Sequence, residues 1–206
     1  WLPSMIERKY TLVDAILTKE LASYAIHFVY PFQFWFSPWG YGGSGAGLAD
    51  GMSFQLGKIH IGLAVFSFLL FLILAFRKKL ETLHAMDSTS SPQARYMFYA
   101  FLLLFSLFMA TPYSKPLWDN VQFLWYLQFP WRFLTFAGVF IAVLGGYSVY
   151  FLLQFIDKSK YKSVVGVVLV ILLSLVTIGT YQKYFKPSNY IIKSDKELTS
   201  FEEIAW

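Results

Sequence analysis

Residues 59–76 read IHIGLAVFSFLLFLILAF and are followed at once by Arg77, Lys78 and Lys79. At ~1.5 Å per helical residue this stretch reaches ~27 Å, close to a hydrocarbon core of ~30 Å. A basic cluster straight after an apolar run is what a helix carries where it leaves the bilayer. The stretch is therefore expected to be a transmembrane helix, and it decides how the rest of the chain is read.

Three more segments follow the same logic. Tyr96–Thr111 is short and rests on Phe and Leu, with Arg95 placed to snorkel at its start. Phe133–Phe151 and Val164–Thr180 are apolar throughout. The expected fold is an all-α polytopic transmembrane helix bundle of about four spans, forming one membrane domain over residues 1–206. Composition agrees: of the 206 residues 57% are hydrophobic and 14% charged, against roughly 25% charged in soluble domains. Too little polar surface is available to coat a water-soluble globule, and a bilayer removes the need for it. The chain has no cysteine, which excludes disulfides, thiolate metal sites and a cysteine nucleophile. The net charge of +5 is modest, and no nucleic-acid partner is expected.

Loop charge orients the bundle. The connection 77–95 carries Arg77, Lys78, Lys79 and Arg95, and the turn 154–163 carries Lys158, Lys160 and Lys162. The intervening connection 112–132 has only Lys115 and Arg132, with Asp119 as partial counterweight. The positive-inside rule places the two basic loops in the cytoplasm. Residues 1–58, 112–132 and 181–206 then lie outside, with both ends of the segment on the outer side. The chain opens at Trp1 without Met or a signal-peptide pattern. It is expected to be a segment of a longer polytopic protein, whose remaining helices are, with the bilayer, its partners.

The outer segments are rich in aromatic residues. Leu21–Phe36 (LASYAIHFVYPFQFWF) contains His27, Pro31 and Gln33 and suits the headgroup region as an interfacial or re-entrant segment, led in by a short helix over Tyr10–Glu20. In 112–132, Leu117, Val121, Leu124 and Trp125 share a helical face, which predicts one interfacial helix anchored by Trp118, Trp125 and Tyr126 and ended by Pro130. Pro130 would then occupy the first turn of the next span. Within that span Gly138, Ala142 and Gly146 recur every four residues and predict a helix-packing seam.

Candidate site residues cluster in these outer segments. Gly40-Tyr41-Gly42-Gly43-Ser44-Gly45 matches G-x-G-x-x-G by letter, but a dinucleotide fingerprint needs a strand before it and a helix after it, and neither is expected. The run 39–47 reads as a flexible loop, either solvated or ligand-binding, with Tyr41 and Ser44 as its candidate binding residues. Asp50, Ser53, Gln55 and His60 extend a polar patch at the outer mouth. Arg132 stands out, in Gln128-Phe129-Pro130-Trp131-Arg132, on the side where basic residues are scarce. Its guanidinium can grip a phosphate through two parallel hydrogen bonds, or simply snorkel to headgroups. His27, His60 and His84 lack metal-ligand spacing, so no metal or other cofactor is expected. Glu7, Asp14, Glu20, Asp50 and Asp119 are candidates for acid or base work, with no pairing readable. Apart from His60 at an edge, the four spans contain no ionisable side chain of the kind that ion-coupled transporters place at mid-membrane.

Three pieces carry a family resemblance: Trp1-Leu2-Pro3 with Glu7-Arg8-Lys9-Tyr10, Trp39-Gly40-Tyr41-Gly42 with 50–57 (DGMSFQLG), and Leu127-Gln128-Phe129-Pro130-Trp131-Arg132-Phe133. Together they resemble the bacterial polytopic membrane proteins labelled "6-pyruvoyl-tetrahydropterin synthase-related", grouped with glycosyltransferases of the GT-C architecture. The label misleads, since the soluble pterin synthase uses a His-ligated zinc and a Cys, and this chain has neither a His cluster nor a Cys. The GT-C grouping implies a bacterial inner-membrane protein that transfers a sugar from a polyprenyl-phosphate carrier on the outer side. Its acidic catalytic residue is expected in a first outer loop, so no catalytic residue is carried over here. The resemblance implies a carrier site in which Arg132 meets the phosphate, Trp131 and the flat outer helix line the acyl or sugar pocket, and the glycine-rich loop 39–47 closes over it, with Gln128, Tyr41, Ser44 and Asp50 as further binding residues. The alternatives are a non-catalytic membrane scaffold or assembly protein, and a transporter or flippase for a lipid-linked substrate.

Overall fold

The computed structural model describes residues 23–38, 40–81, 91–156, 160–187 and 194. The expected helix at Tyr10–Glu20 and most of the tail 181–206 lie outside the described residues. The chain divides into two compact units, residues 1–162 and 163–206.

Among the described residues the fold is all-α. In chain order the helices are α1 (Lys58–Glu81), α2 (Pro92–Ala110), α3 (Lys115–Asn120), α4 (Gln122–Trp125), α5 (Phe133–Phe155) and α6 (Lys162–Tyr181). Short 3-10 turns lie at Tyr24–Ile26, Pro31–Phe34, Pro112–Ser114, Pro130–Arg132 and Gln182–Phe185. α1, α2, α5 and α6 are long and apolar enough to cross a membrane. They coincide with the four expected spans and run a few residues beyond them, because polar end residues such as Lys58, Arg95 and Gln154 continue a helix whose apolar centre alone marks it in the sequence.

In the first unit α5 packs against both α1 and α2. Leu63 of α1 approaches Gly145 of α5, where an added Cβ would sit 3.5 Å from Leu63 Cβ, and further along both helices Phe71 meets Phe151. The two helices therefore run parallel. α2 runs the other way: Tyr96 packs on Phe151 and Phe105 on Phe133. Tyr96 is the centre of the core. It is buried, stacks on Phe71 at 4.9 Å and meets Tyr147 edge-on. Its hydroxyl lies 3.2 Å from Ser67 Oγ, so the phenol is not left unpaired in the apolar interior.

The expected seam at Gly138, Ala142 and Gly146 is a correction. All three are exposed, and a Cβ on Gly138 or Gly146 would meet nothing within 4 Å. The buried face of α5 is Ala137, Ile141, Leu144, Gly145 and Ser148, set by the large side chains of α1 and α2 that need that surface. Ser148 satisfies itself by donating to Gly145 O.

Parallel α1 and α5 with antiparallel α2 bring both aromatic loops, 23–57 and 111–132, to one end, and the basic connection to the other. At the loop end, the last three carbonyls that close α2 are used. Phe108 O accepts from Thr111, Met109 O from Ser114 and from Trp118 Nε1, and Ala110 O from Val29 N at 2.9 Å. Non-helical backbone near a bilayer is tolerated when it is satisfied this way.

The expectation of one interfacial helix across 112–132 is also corrected. The segment is a 3-10 turn and two short helices, broken at Val121, whose backbone is extended (φ −110°, ψ 90°). Leu117 and Val121 are exposed, and the anchor is Trp118, which is fully buried. Its indole bonds to Met109 O while Tyr24 stacks on it at 5.4 Å and Phe28 meets it edge-on. Seating that ring sets the register, and the β-branched Val121 takes the extended turn. Pro130 does begin the turn that leads into α5, as its missing N–H allows.

α6 stands by itself in the second unit. Apolar side chains are exposed around much of its circumference, among them Val164, Val165, Val167, Val168, Val170 and Ile171. Thr177 and Thr180 return their hydroxyls to Leu173 O and Val176 O. Such a helix is suited to hydrocarbon rather than water.

Candidate functional site

The loop end of the first unit holds the expected binding residues Tyr41, Ser44, Asp50, Gln128, Trp131 and Arg132, while the acid or base candidates Glu7, Asp14 and Glu20 lie outside the described residues. Around residues 40–52 the chain folds back on itself through an isolated antiparallel bridge, Tyr41 to Met52. Gly42 N donates to Gly51 O at 2.8 Å, and Gly51 N to Gly43 O at 2.9 Å. The approach is so close that a Cβ on Gly40 would fall 2.3 Å from Gly51 O. Backbone packing explains Gly40, Gly42, Gly45 and Gly51, a positive φ of +68° explains Gly47, and among the described residues no strand–turn–helix unit surrounds them.

Asp50 locks the loop. Its Oδ1 accepts from Gly45 N at 3.0 Å and its Oδ2 from Gln33 Nε2 at 2.8 Å, while Gln33 Oε1 accepts from Tyr30 N. Ser53 and Gln55 both donate to Ser37 O, and Phe54 N donates to Ser37 Oγ. The polar patch expected at the mouth is therefore largely internal wiring. Tyr41 is 63% exposed and its side chain is at the surface of the loop.

Ser44 is the point at which the loop meets α5. Its hydroxyl accepts from Trp131 Nε1 at 3.1 Å and lies 2.7 Å from His27 Nδ1. A hydroxyl has one proton and two lone pairs, so while Ser44 accepts the indole proton it can serve Nδ1 of His27 in either tautomer. His27 is 7% exposed, and its Nε2 has no partner among the described residues. Burial pushes its pKa down, and nearby Asp50 opposes part of that shift. Neutral imidazole is the state this pocket favours. The ring also meets Phe129 edge-on at 4.7 Å, and Phe129 stacks on Trp131.

Arg132 is exposed. Its Nη1 donates to Leu127 O at 2.9 Å and its guanidinium lies over Phe129, 4.9 Å from the ring centre. Gln128 makes that geometry possible: its φ of +59° turns the chain so that Leu127 O faces Arg132. A non-glycine residue in this region is strained by roughly 1–2 kcal/mol. No described carboxylate pairs with Arg132, because Asp50 holds the loop and Asp119 accepts from Lys115 Nζ at 2.7 Å and Tyr24 at 2.6 Å. Lys115 and the Tyr24 hydroxyl hold the Asp119 carboxyl below its ordinary pKa. Burial and the same bond push Tyr24 up to about 12.

The structure thus joins Ser44 to Trp131 directly and places Gln128 and Arg132 beside them, while Asp50 acts through the loop. His27 is the residue that the sequence reading left out of the site. A histidine inside an apolar stretch must find a polar partner, but nothing local names a serine 17 residues away. Among the described residues no His, Asp and Glu side chains group as metal ligands. Compared with known proteins, the chain matches no family model, no curated protein and no solved structure.

Proposed function

We propose that the loop end holds the phosphate of a polyprenyl-linked sugar, as the carrier site of a GT-C-like glycosyl-transfer protein. On this reading the end faces the outer side of a bacterial inner membrane. One observation carries the proposal: an exposed guanidinium, anchored through one nitrogen and an aromatic face, has no partner carboxylate among the described residues at the head of a membrane-length helix. A cation there also opposes the α5 dipole, so a bound anion interacts favourably with both. Bidentate recognition of a phosphate uses the N–H groups that remain.

In transfer, the phosphate is the leaving group, and Arg132 stabilises the charge that develops on it. Trp131, Phe129 and the strained Gln128 hold the arginine in place, and the loop locked by Asp50 shields one side. Asp50 and Asp119 are each engaged as acceptors, and on this reading neither is assigned as the general base.

The test is native mass spectrometry of the full-length protein, gently purified, beside Arg132→Ala. Co-purified polyprenyl phosphate that is lost in the variant supports the reading. Equal retention reduces Arg132 to an interfacial anchor and favours a membrane scaffold.

A further inference from the structure

At the basic end, opposite the site above, the first turn of α2 and the second half of α5 enclose a cleft of about 360 Å3. It is lined by Pro92, Arg95, Val143, Gly146, Tyr147 and Tyr150. Arg95 is exposed, and Asp50 and Asp119, the carboxylates whose side chains are described, are both committed at the loop end. Running from the cleft along α5, Gly146, Ala142 and Gly138 are exposed, and nothing lies within 4 Å of a Cβ added to either glycine. That leaves an apolar groove about 12 Å long, from eight residues at ~1.5 Å each.

We propose that this cleft binds the phosphate of an anionic glycerophospholipid. Arg95 grips the phosphate, Tyr147 and Tyr150, which line the same cleft, donate to its oxygens, and one acyl chain lies along Gly146, Ala142 and Gly138. Charge complementarity selects this occupant. A purely apolar helix on the groove would leave Arg95 without an anion, whereas a phospholipid supplies the anion and the hydrocarbon together. The position along the helices suits it as well, because the guanidinium sits at a helix end, where headgroup phosphates are found. A lipid there also accounts for the small residues of α5, which no described helix of the first unit covers.

The experiment is native mass spectrometry of the full-length protein, equilibrated with equal amounts of phosphatidylglycerol and phosphatidylethanolamine. One phosphatidylglycerol is expected to be retained preferentially. Arg95→Gln should lower its retention about tenfold, the size expected for losing a charge-assisted contact. Gly146→Leu, which fills the cleft and keeps the charge, should do the same, and it preserves the test if the arginine variant fails to fold. Arg132→Ala should leave this retention unchanged, which separates the two sites. Equal retention by folded Arg95→Gln or Gly146→Leu overturns the proposal. So does displacement by millimolar inorganic phosphate alone, which would make the cleft a site for free phosphate.

Discussion

The indole Nε1 of Trp131 donates to the hydroxyl of Ser44 across 3.1 Å, and 87 residues of chain separate the two. That bond fastens the glycine loop to the head of α5, directly beside Arg132. The same hydroxyl contacts His27, so three segments of the loop end meet at one oxygen. Its loss should free the loop without disturbing the helix core around Tyr96.

The junction should weaken in mild acid. The pKa of His27 is lowered by burial, so the unfolded chain takes up its proton more readily than the folded one. The contribution of His27 is complete above its ordinary pKa of about 6.5 and is lost as pH falls towards the lower folded value. Proteolysis of the 40–52 loop should therefore speed up between pH 7.5 and pH 5.5. His27→Gln should flatten that dependence, and an unchanged profile in the variant would rule out His27 as its source.

Trp118 should be the largest single contributor to the loop end. It is fully buried between Tyr24, Phe28 and Phe133 and caps Met109 O. Trp118→Ala should cost about 3–5 kcal/mol, as for other buried aromatic truncations. Trp118→Phe should cost less, on the order of 1 kcal/mol for the lost hydrogen bond, because Ser114 still serves that carbonyl. Thermal unfolding in detergent would rank the two, and a reversed order would contradict the packing described.

Gln128 separates strain from function. Gln128→Gly should leave stability unchanged or raise it by up to about 1 kcal/mol, since glycine adopts positive φ freely but loses more entropy on folding. Gln128→Val should destabilise. If the glycine variant is at least as stable yet binds carrier lipid less well, the side chain itself lines the site. Unchanged binding would assign Gln128 only to shaping the turn.

Topology has a direct test, because no native cysteine interferes. Leu48 and Tyr113 are exposed at the loop end, and Tyr161 is exposed in the basic turn. Single cysteines at Leu48 and Tyr113 should react with an impermeant thiol reagent in intact cells, and one at Tyr161 should not. Labelling at Tyr161 alone would invert the orientation.

The four long helices were legible in the sequence because each needs only length and apolar composition, which residues 59–76 show most clearly. The inward face of α5 was not. Four-residue spacing of Gly138, Ala142 and Gly146 marks a surface where something can approach closely, but partners choose the face, and here large residues of α1 and α2 chose Ala137, Ile141 and Leu144. The broken 112–132 segment was hidden for a similar reason. Its helical periodicity is real, yet one buried indole outweighs four residues of pattern. At the site, Arg132 was legible as a cation out of place. The Ser44–His27–Trp131 junction was not, since its members come from three distant segments.

The central claim concerns recognition of a lipid-linked phosphate at Arg132. The most direct measurement compares binding of a polyprenyl phosphate and the corresponding polyprenol to the full-length protein and to Arg132→Ala. The account predicts that the wild type prefers the phosphate by about tenfold or more and that the variant loses this preference while still binding the polyprenol. Equal binding of the two lipids by the wild type, or an undiminished preference in the variant, would contradict it.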